Sequence, residues 1–220
     1  MSTNARARAV VEEMFSENTA FGRTGRKFKT SHTSMPLPAC DYVVELADRL
    51  GAERTVEIGL GLGVASIFLA SRRSEGAAKH VAVDPFQHSI WDAAGLVALE
   101  LAGLEDDVRL VQRRSEDWLP GLAGQSVRFD LALVDGDHHF EHVLMDLHHL
   151  ARCLSPGGRI VVDDIHLPSV RGAVGFFVHN LGWRTTARPG LRDDLGRERL
   201  LVLEPRDDVD RSWDHFVPFL

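Results

Sequence analysis

Short runs rich in β-branched apolar residues alternate with helical patterns through most of the chain. That alternation constrains the fold more than any other feature. Thr55–Ile58, His80–Asp84, Val108–Val111, Phe129–Val134 and Arg159–Asp163 read as buried strands. Ala65–Arg73, Ser89–Ala102 and Phe140–Cys153 read as the helices between them, and turn residues such as Ser155-Pro156-Gly157-Gly158 punctuate the series. A repeated strand–helix order implies a mostly parallel sheet with helices on both faces and right-handed crossovers. A helix near Ser169–Asn180 then leads to strands near Trp183–Ala187 and Arg199–Leu203, and the turn-rich Arg188–Arg197 stretch joins them like a hairpin. The expected architecture is therefore α/β and doubly wound, with seven strands, the last of them antiparallel.

The first 35 residues break the pattern and are expected to form an N-terminal arm or helical cap, with residues 36–220 as the main domain. Pro36–Leu50 reads as a helix feeding the first strand. Phe21–Ser34 is basic, polar and without clear period, so it reads either as a lid over the site or as a disordered arm. The tail Arg211–Leu220 carries Phe216, Phe219 and Leu220, apolar residues expected to dock on the body or on a partner subunit. A chain of 220 residues with 44% apolar and 26% charged residues has ordinary globular composition. No apolar run approaches the ~18 residues of a membrane span, and the opening MSTNARARAVVEEMF lacks the apolar stretch of a signal peptide. The net charge of −7 argues against a nucleic-acid backbone as partner. Cys40 and Cys153 form no metal or disulfide motif. The reading is a soluble cytoplasmic protein, with a homodimer as the default oligomer.

The chemistry concentrates at the strand ends. In Thr55-Val-Glu-Ile-Gly-Leu-Gly-Leu-Gly63 a buried strand ends in three alternating glycines before a helix begins. Glycine lets the backbone turn sharply and approach a ligand there, beyond the carboxyl end of the first strand, where open α/β sheets bind ligands. A dinucleotide fingerprint would need a third glycine where Val64 or Ser66 stands, which weakens a nicotinamide reading. Asp84, ending the second strand, is placed to accept hydrogen bonds from a ribose diol.

Glu57-x-Gly59-x-Gly61-x-Gly63, then Asp84, then Ser115-Glu116-Asp117, Val134-Asp-Gly-Asp-His-His-Phe-Glu141 and Leu154-Ser-Pro-Gly-Gly-Arg-Ile-Val-Val-Asp-Asp164 together resemble a class I S-adenosylmethionine-dependent methyltransferase with a Rossmann-like fold. The resemblance covers about Pro36–Pro205. It implies that Glu57, Gly59, Gly61 and Gly63 form the cofactor loop around the methionine moiety, that Asp84 holds the ribose hydroxyls, that Ser115 and Glu116 flank the adenine, and that Asp135 faces the cofactor amine.

Asp135 and Asp137 end the fourth strand, and Asp163 and Asp164 end the fifth, so four carboxylates gather at one edge. They would repel one another unless a cation sat among them. The pattern is similar to metal-dependent O-methyltransferases of the macrocin and catechol types, which implies Mg²⁺ held by Asp135, Asp163 and Asp164, with Asp137 or His138 as the base. The expected activity is methyl transfer to a small-molecule hydroxyl. A metal-independent methyltransferase and a non-catalytic cofactor-binding protein are the alternatives. The crowd His138, His139, His142, His148 and His149 reads mostly as solvated helix surface, His166 is a better site candidate, and His32 reads as an ordinary surface residue of the N-terminal segment sooner than as one that reaches substrate. Acceptor choice is expected to lie in Phe21–Pro38 and in Pro189–Arg197; Arg23, Arg26, Lys27 and Lys29 read first as a solvated charged arm and second as a preference for an anionic acceptor.

Overall fold

Alternate residues of the central strands feed two separate cores, as the two-residue period of a pleated strand requires. The computed structural model describes residues 3–72, 79–122, 125–187, 191, 196–206 and 210–219. Its strands are β1 (Ala20–Phe21), β2 (Lys27–Phe28), β3 (Arg54–Ile58), β4 (Lys79–Val83), β5 (Val108–Val111), β6 (Phe129–Val134), β7 (Leu154–Val162), β8 (Arg184–Ala187) and β9 (Leu201–Glu204). The helices are α1 (Thr3–Ser16), α2 (Leu37–Arg49), α3 (Val64–Ser71), α4 (Ala94–Ala102), α5 (Ser115–Trp118), α6 (Phe140–Arg152) and α7 (Pro168–Leu181). Leu131 and Leu133 of β6 join the core beneath α1 to α4, while Ala132 and Val134 join the core beneath α6 and α7.

The main sheet has the order β5-β4-β3-β6-β7-β9-β8 among the described residues. Its first five strands run parallel, and β9 pairs antiparallel with both β7 and β8. The expected fold class is thus observed, and the last strand of the chain, β9, is the antiparallel one, lying between β7 and β8. The predicted connection at Arg188–Arg197 lies largely outside the described residues. Strand β7 begins earlier than expected, because Leu154 pairs with Phe129 before the ladder resumes at Leu131 and Arg159. The Ser155–Gly158 turn is accommodated as a bulge in that shift.

The N-terminal residues are part of the same packing. Ala7, Val11 and Met14 of α1, together with Ala20 and Met35, are buried in the α1–α4 core. The β1–β2 hairpin, Ala20–Phe28, takes up the first part of the aperiodic Phe21–Ser34 stretch. Arg23 pairs with Glu100, and Asp92 Oδ2 accepts from both Thr24 N (2.9 Å) and Thr24 Oγ1 (2.7 Å). The helix expected from Ser89 starts only at Ala94. Asp92 and Ala93 take left-handed φ angles of 49° and 57°, and the resulting irregular turn is what the hairpin clasps. In the tail, Phe219 meets Phe176 edge-on at 5.6 Å and Asn180 Nδ2 donates to Val217 O at 2.9 Å, whereas Trp213 is 99% exposed. No helix among the described residues is long and apolar enough to cross a membrane.

Candidate active site

Because β3, β4, β6 and β7 run parallel, their carboxyl ends open on one edge of the sheet, and a cavity of 470 Å³ lies there. Gly59, Gly61, Asp84, Ser115, Glu116, Asp135, Asp137, His138 and Asp164 all line it. The structure therefore brings together most of the residues expected from sequence, drawn from five separate segments. His32 and Thr33 of the N-terminal segment also reach the wall, while Arg23, Arg26, Lys27 and Lys29 do not. A larger cavity of 890 Å³ lies at the opposite edge, near the strand starts Arg54 and Phe129, and none of the expected site residues lines it.

The three glycines divide by role. A Cβ on Gly59 would strike the Asp135 backbone, and one on Gly63 would lie 2.9 Å from Gly95 O. Those two glycines let neighbouring backbones pack. Gly61 is different: its φ is +50°, and a Cβ there would meet nothing closer than Thr33 O at 4.0 Å. Its open side faces the cavity. Glu57 lies outside the lining, 1% exposed, bonded by Ser66 Oγ and 3.3 Å from His80 Nε2. His80 Nδ1 in turn lies 2.8 Å from Thr55 Oγ1. Glu57 thus tethers β3 to α3 and β4 under the loop and does not meet the cavity.

Asp84 is buried, and its carboxylate already works for the chain. Oδ2 accepts from Gly61 N (3.0 Å) and Gln87 Nε2 (2.9 Å), and Oδ1 accepts from Phe86 N (2.7 Å). A carboxylate offers about four lone-pair directions, so Oδ1 keeps one for a ligand hydroxyl. Asp84→Ala should accordingly cost about 1–3 kcal/mol of stability, through the loop donors it strands, in addition to any loss of ligand affinity. Thermal melts of the unliganded protein check this. An unchanged midpoint would show that the loop does not depend on the clamp.

The acids at the ends of β6 and β7 differ sharply in environment. Burial, reinforced by Asp163, Asp164 and Glu57, pushes Asp135 well above the ordinary carboxyl range. Asp137 goes the other way: burial opposes the shift, but the His139 N–H and the His139 and His142 rings hold it at about 2. His142 Nδ1 stands 2.8 Å from Asp137 Oδ2. His138 Nε2 lies 3.1 Å from Asp164 Oδ2, and this hydrogen bond, ahead of the opposing effect of burial, raises the imidazole above its usual range. Asp164 adopts φ +54°, which turns it out of line with β7. His166 Nδ1 is 3.8 Å from Asp164 Oδ1. Asp163, by contrast, does not line the cavity. Its side chain has no exposed surface, and Arg199 Nε and Nη2 take both its oxygens at 2.6–3.0 Å.

Sequence reasoning missed Asp146. It lies on the buried stripe of α6 with Val143, Leu147 and Leu150, 2% exposed, and contributes to the cavity wall. Its Oδ1 has no hydrogen-bond partner among the described residues. Burial lifts its carboxyl to about 7, against the lowering effect of a Ser115 hydrogen bond. An acid at an i, i+3, i+4 apolar position was the signal that could have found it. Arg199 was likewise passed over, because it read as the start of a strand.

A search of curated protein sequences gave no match. Among solved structures, an O-methyltransferase from Bacillus cereus in complex with SAH superposes with a TM-score of 0.69 at 18% identity, covering 92% of this chain and 91% of that one. The O-methyltransferase TomG from Streptomyces achromogenes, involved in tomaymycin synthesis and solved with SAM, gives 0.65 at 19% identity, covering 93% and 90%. The SAH-bound methyltransferase PaMTH1 from Podospora anserina gives 0.66 at 17%, covering 90% and 88%. At these identities the likeness establishes the shared class I fold. A family model described as a methyltransferase domain matches residues 56–165, half of the sequence and the part that supplies most of the cavity wall. The chain belongs to that methyltransferase-domain family.

Proposed function

We propose that the protein is an S-adenosylmethionine-dependent O-methyltransferase acting on a hydroxyl of a small molecule, without a divalent cation. The observation that carries the reading is the cavity itself, where the open face of Gly61, the free lone pair of Asp84 Oδ1 and the His138–Asp164 pair converge. These features fit the cofactor. Gly61 leaves room for a thioether chain, Asp84 can accept from a ribose hydroxyl, and Ser115 and Glu116 offer polar atoms to a base edge. When bound, the cofactor supplies an electrophilic methyl group on a sulfonium.

The chain's own residues orient and deprotonate the acceptor. Asp164 accepts the His138 Nε2–H and fixes that tautomer, which leaves Nδ1 as the lone-pair site for the acceptor's hydroxyl proton. Asp137 is less suited, because its low pKa and two histidine partners leave it a weak base. The Mg²⁺ expected from sequence does not fit the acids as they are placed. Asp163 is fully engaged with Arg199. What converges on the cavity instead is Asp135, His138 and Asp164, a set whose imidazole nitrogen suits Mg²⁺ poorly.

Methyl-labelled cofactor incubated with a panel of catechols and sugars should yield label on oxygen. Label on nitrogen or carbon would overturn the assignment, and tight SAH binding without transfer to any acceptor would favour a non-catalytic binding protein. On the acceptor found, His138→Gln should lower kcat by roughly 10²–10⁴-fold and leave SAH affinity near wild type. The wild-type rate should climb as pH rises through the raised histidine pKa, since the base works unprotonated. A His138→Gln variant with wild-type kcat would remove His138 from the reaction.

A further inference from the structure

Asp163 and Asp164 are consecutive, and a regular strand would send their side chains to opposite faces. Here β7 ends at Val162, and Asp164 takes its left-handed φ, so both carboxylates come within reach of one guanidinium. Arg199 Nε lies 2.7 Å from Asp163 Oδ1, Nη2 lies 2.6 Å from Asp163 Oδ2, and Nη2 also stands 3.5 Å from Asp164 Oδ1. The arginine is fixed by its backbone as well as by its charge. Ile165 N donates to Arg199 O at 3.0 Å and Arg199 N donates to Leu191 O at 3.1 Å. The first bond lies just beyond the last β7–β9 pair, Val162 with Leu201, and is one residue out of that ladder's register. The inserted antiparallel strand therefore delivers a cation to the place where acids from β6 and β7 gather.

We propose that Arg199 is a built-in counter-cation that stands in for a divalent metal at the strand-end acids, so that this methyltransferase does not hold Mg²⁺ or Mn²⁺ there. The catalytic side of this inference rests on the function proposed above, but the metal side does not. Arg199 is always charged and its planar fork matches a carboxylate in two places, so Asp163 needs no ion to neutralise it. An ion held through Asp163 would have to break the two-point contact with a carboxylate that has no exposed surface, and one held through Asp164 would share that carboxylate with Arg199 Nη2, 3.5 Å from its Oδ1. It would also bring positive charge to within a few ångströms of a guanidinium that cannot lose its own. Arg199 itself reaches the cavity wall, so it also presents positive charge toward the space where the acceptor binds.

The test measures metal uptake directly, using the full chain saturated with SAH and titrated with MnCl₂ under electron paramagnetic resonance. Wild type should take up no stoichiometric Mn²⁺ below ~1 mM, and Arg199→Lys should behave the same way. Arg199→Gln, which removes the charge and keeps a polar side chain, should bind one Mn²⁺ per chain at least about tenfold more tightly than wild type. Wild-type uptake of one Mn²⁺ per chain at micromolar concentration would overturn the inference. So would a folded Arg199→Gln protein with no gain in Mn²⁺ affinity, the result expected of a purely structural ion pair. If Arg199→Gln does not fold, wild type and Arg199→Lys decide, since both must exclude Mn²⁺. SAH affinity, read by calorimetry on the same samples, separates the two readings. Failure to bind SAH would count against the proposed function, and Mn²⁺ uptake by wild type would count against the counter-cation.

Discussion

Replacing Gly61 with valine is expected to lower SAH affinity by at least about 100-fold, on the order of 3 kcal/mol, while the protein remains folded. The added side chain meets no protein atom closer than 4.0 Å at its Cβ, so it is not accommodated by repacking the chain. It projects instead into the cavity, where the ligand would have to lie. The backbone cost is separate. A left-handed φ penalises any side chain by roughly 1–2 kcal/mol, with β-branched residues at the upper end. Gly61→Ala serves as the control, because it carries most of the backbone strain and little of the bulk. Calorimetry with SAH should therefore rank glycine first, alanine intermediate and valine without measurable binding, with thermal midpoints of the two variants close to each other. Valine and wild type binding SAH equally would show that the ligand does not pass over this turn.

The second large effect concerns stability and pH. Asp146 is held in the cavity wall with its carboxyl near pKa 7, chiefly by burial, with Glu116 and Asp137 adding repulsion and His142 and the Ser115 bond opposing it. In the unfolded chain the same group has the ordinary value of 3.8. Below about pH 4 both states carry the proton and the group contributes nothing. Between 4 and 7 the native state keeps a proton that the unfolded chain has lost, so stability falls as pH rises. Above 7 the cost is constant at about 4 kcal/mol. Asp146→Asn stays neutral throughout. The variant should match wild type near pH 4 and exceed it progressively to pH 8, where the difference is expected to reach roughly 10 °C in melting midpoint. Paired melts across that range check it, and acid effects elsewhere in the chain cancel in the difference. A difference that does not vary with pH would mean that Asp146 is ionised, or solvated, in the folded protein.

Much of the fold was legible because it depends on local periodicity. β3, β5 and β6 fall within a residue of their sequence-based limits, since β-branched runs bounded by turns have few other ways to bury themselves. The glycine turn was legible for a similar reason, as three alternating glycines directly after a buried strand mark a sharp βα turn. The hairpin β1–β2 was not, because its two-residue strands are too short to leave a period. The start of α4 was misplaced for a tertiary reason: Asp92 is turned by its bonds to Thr24, 68 residues away in sequence.

The sequence by itself determined which strand ends meet at one edge of the sheet. In a parallel sheet every strand presents its carboxyl end to the same side, so Gly61, Asp84, Asp135 and Asp164 were bound to meet once the strands were identified. The tertiary structure alone decided what each group does there. Asp84 spends three lone pairs on its own loop, Glu57 turns beneath the loop to Ser66, and Asp146 enters the wall from an apolar helix face. Arg199 closes on Asp163 across 36 residues of sequence, because β9 inserts antiparallel beside β7. Periodicity fixes the direction in which a strand delivers its end residues. Which partner neutralises a buried charge is fixed only by what the rest of the chain places beside it, since the cost of burying that charge falls only when a partner is near.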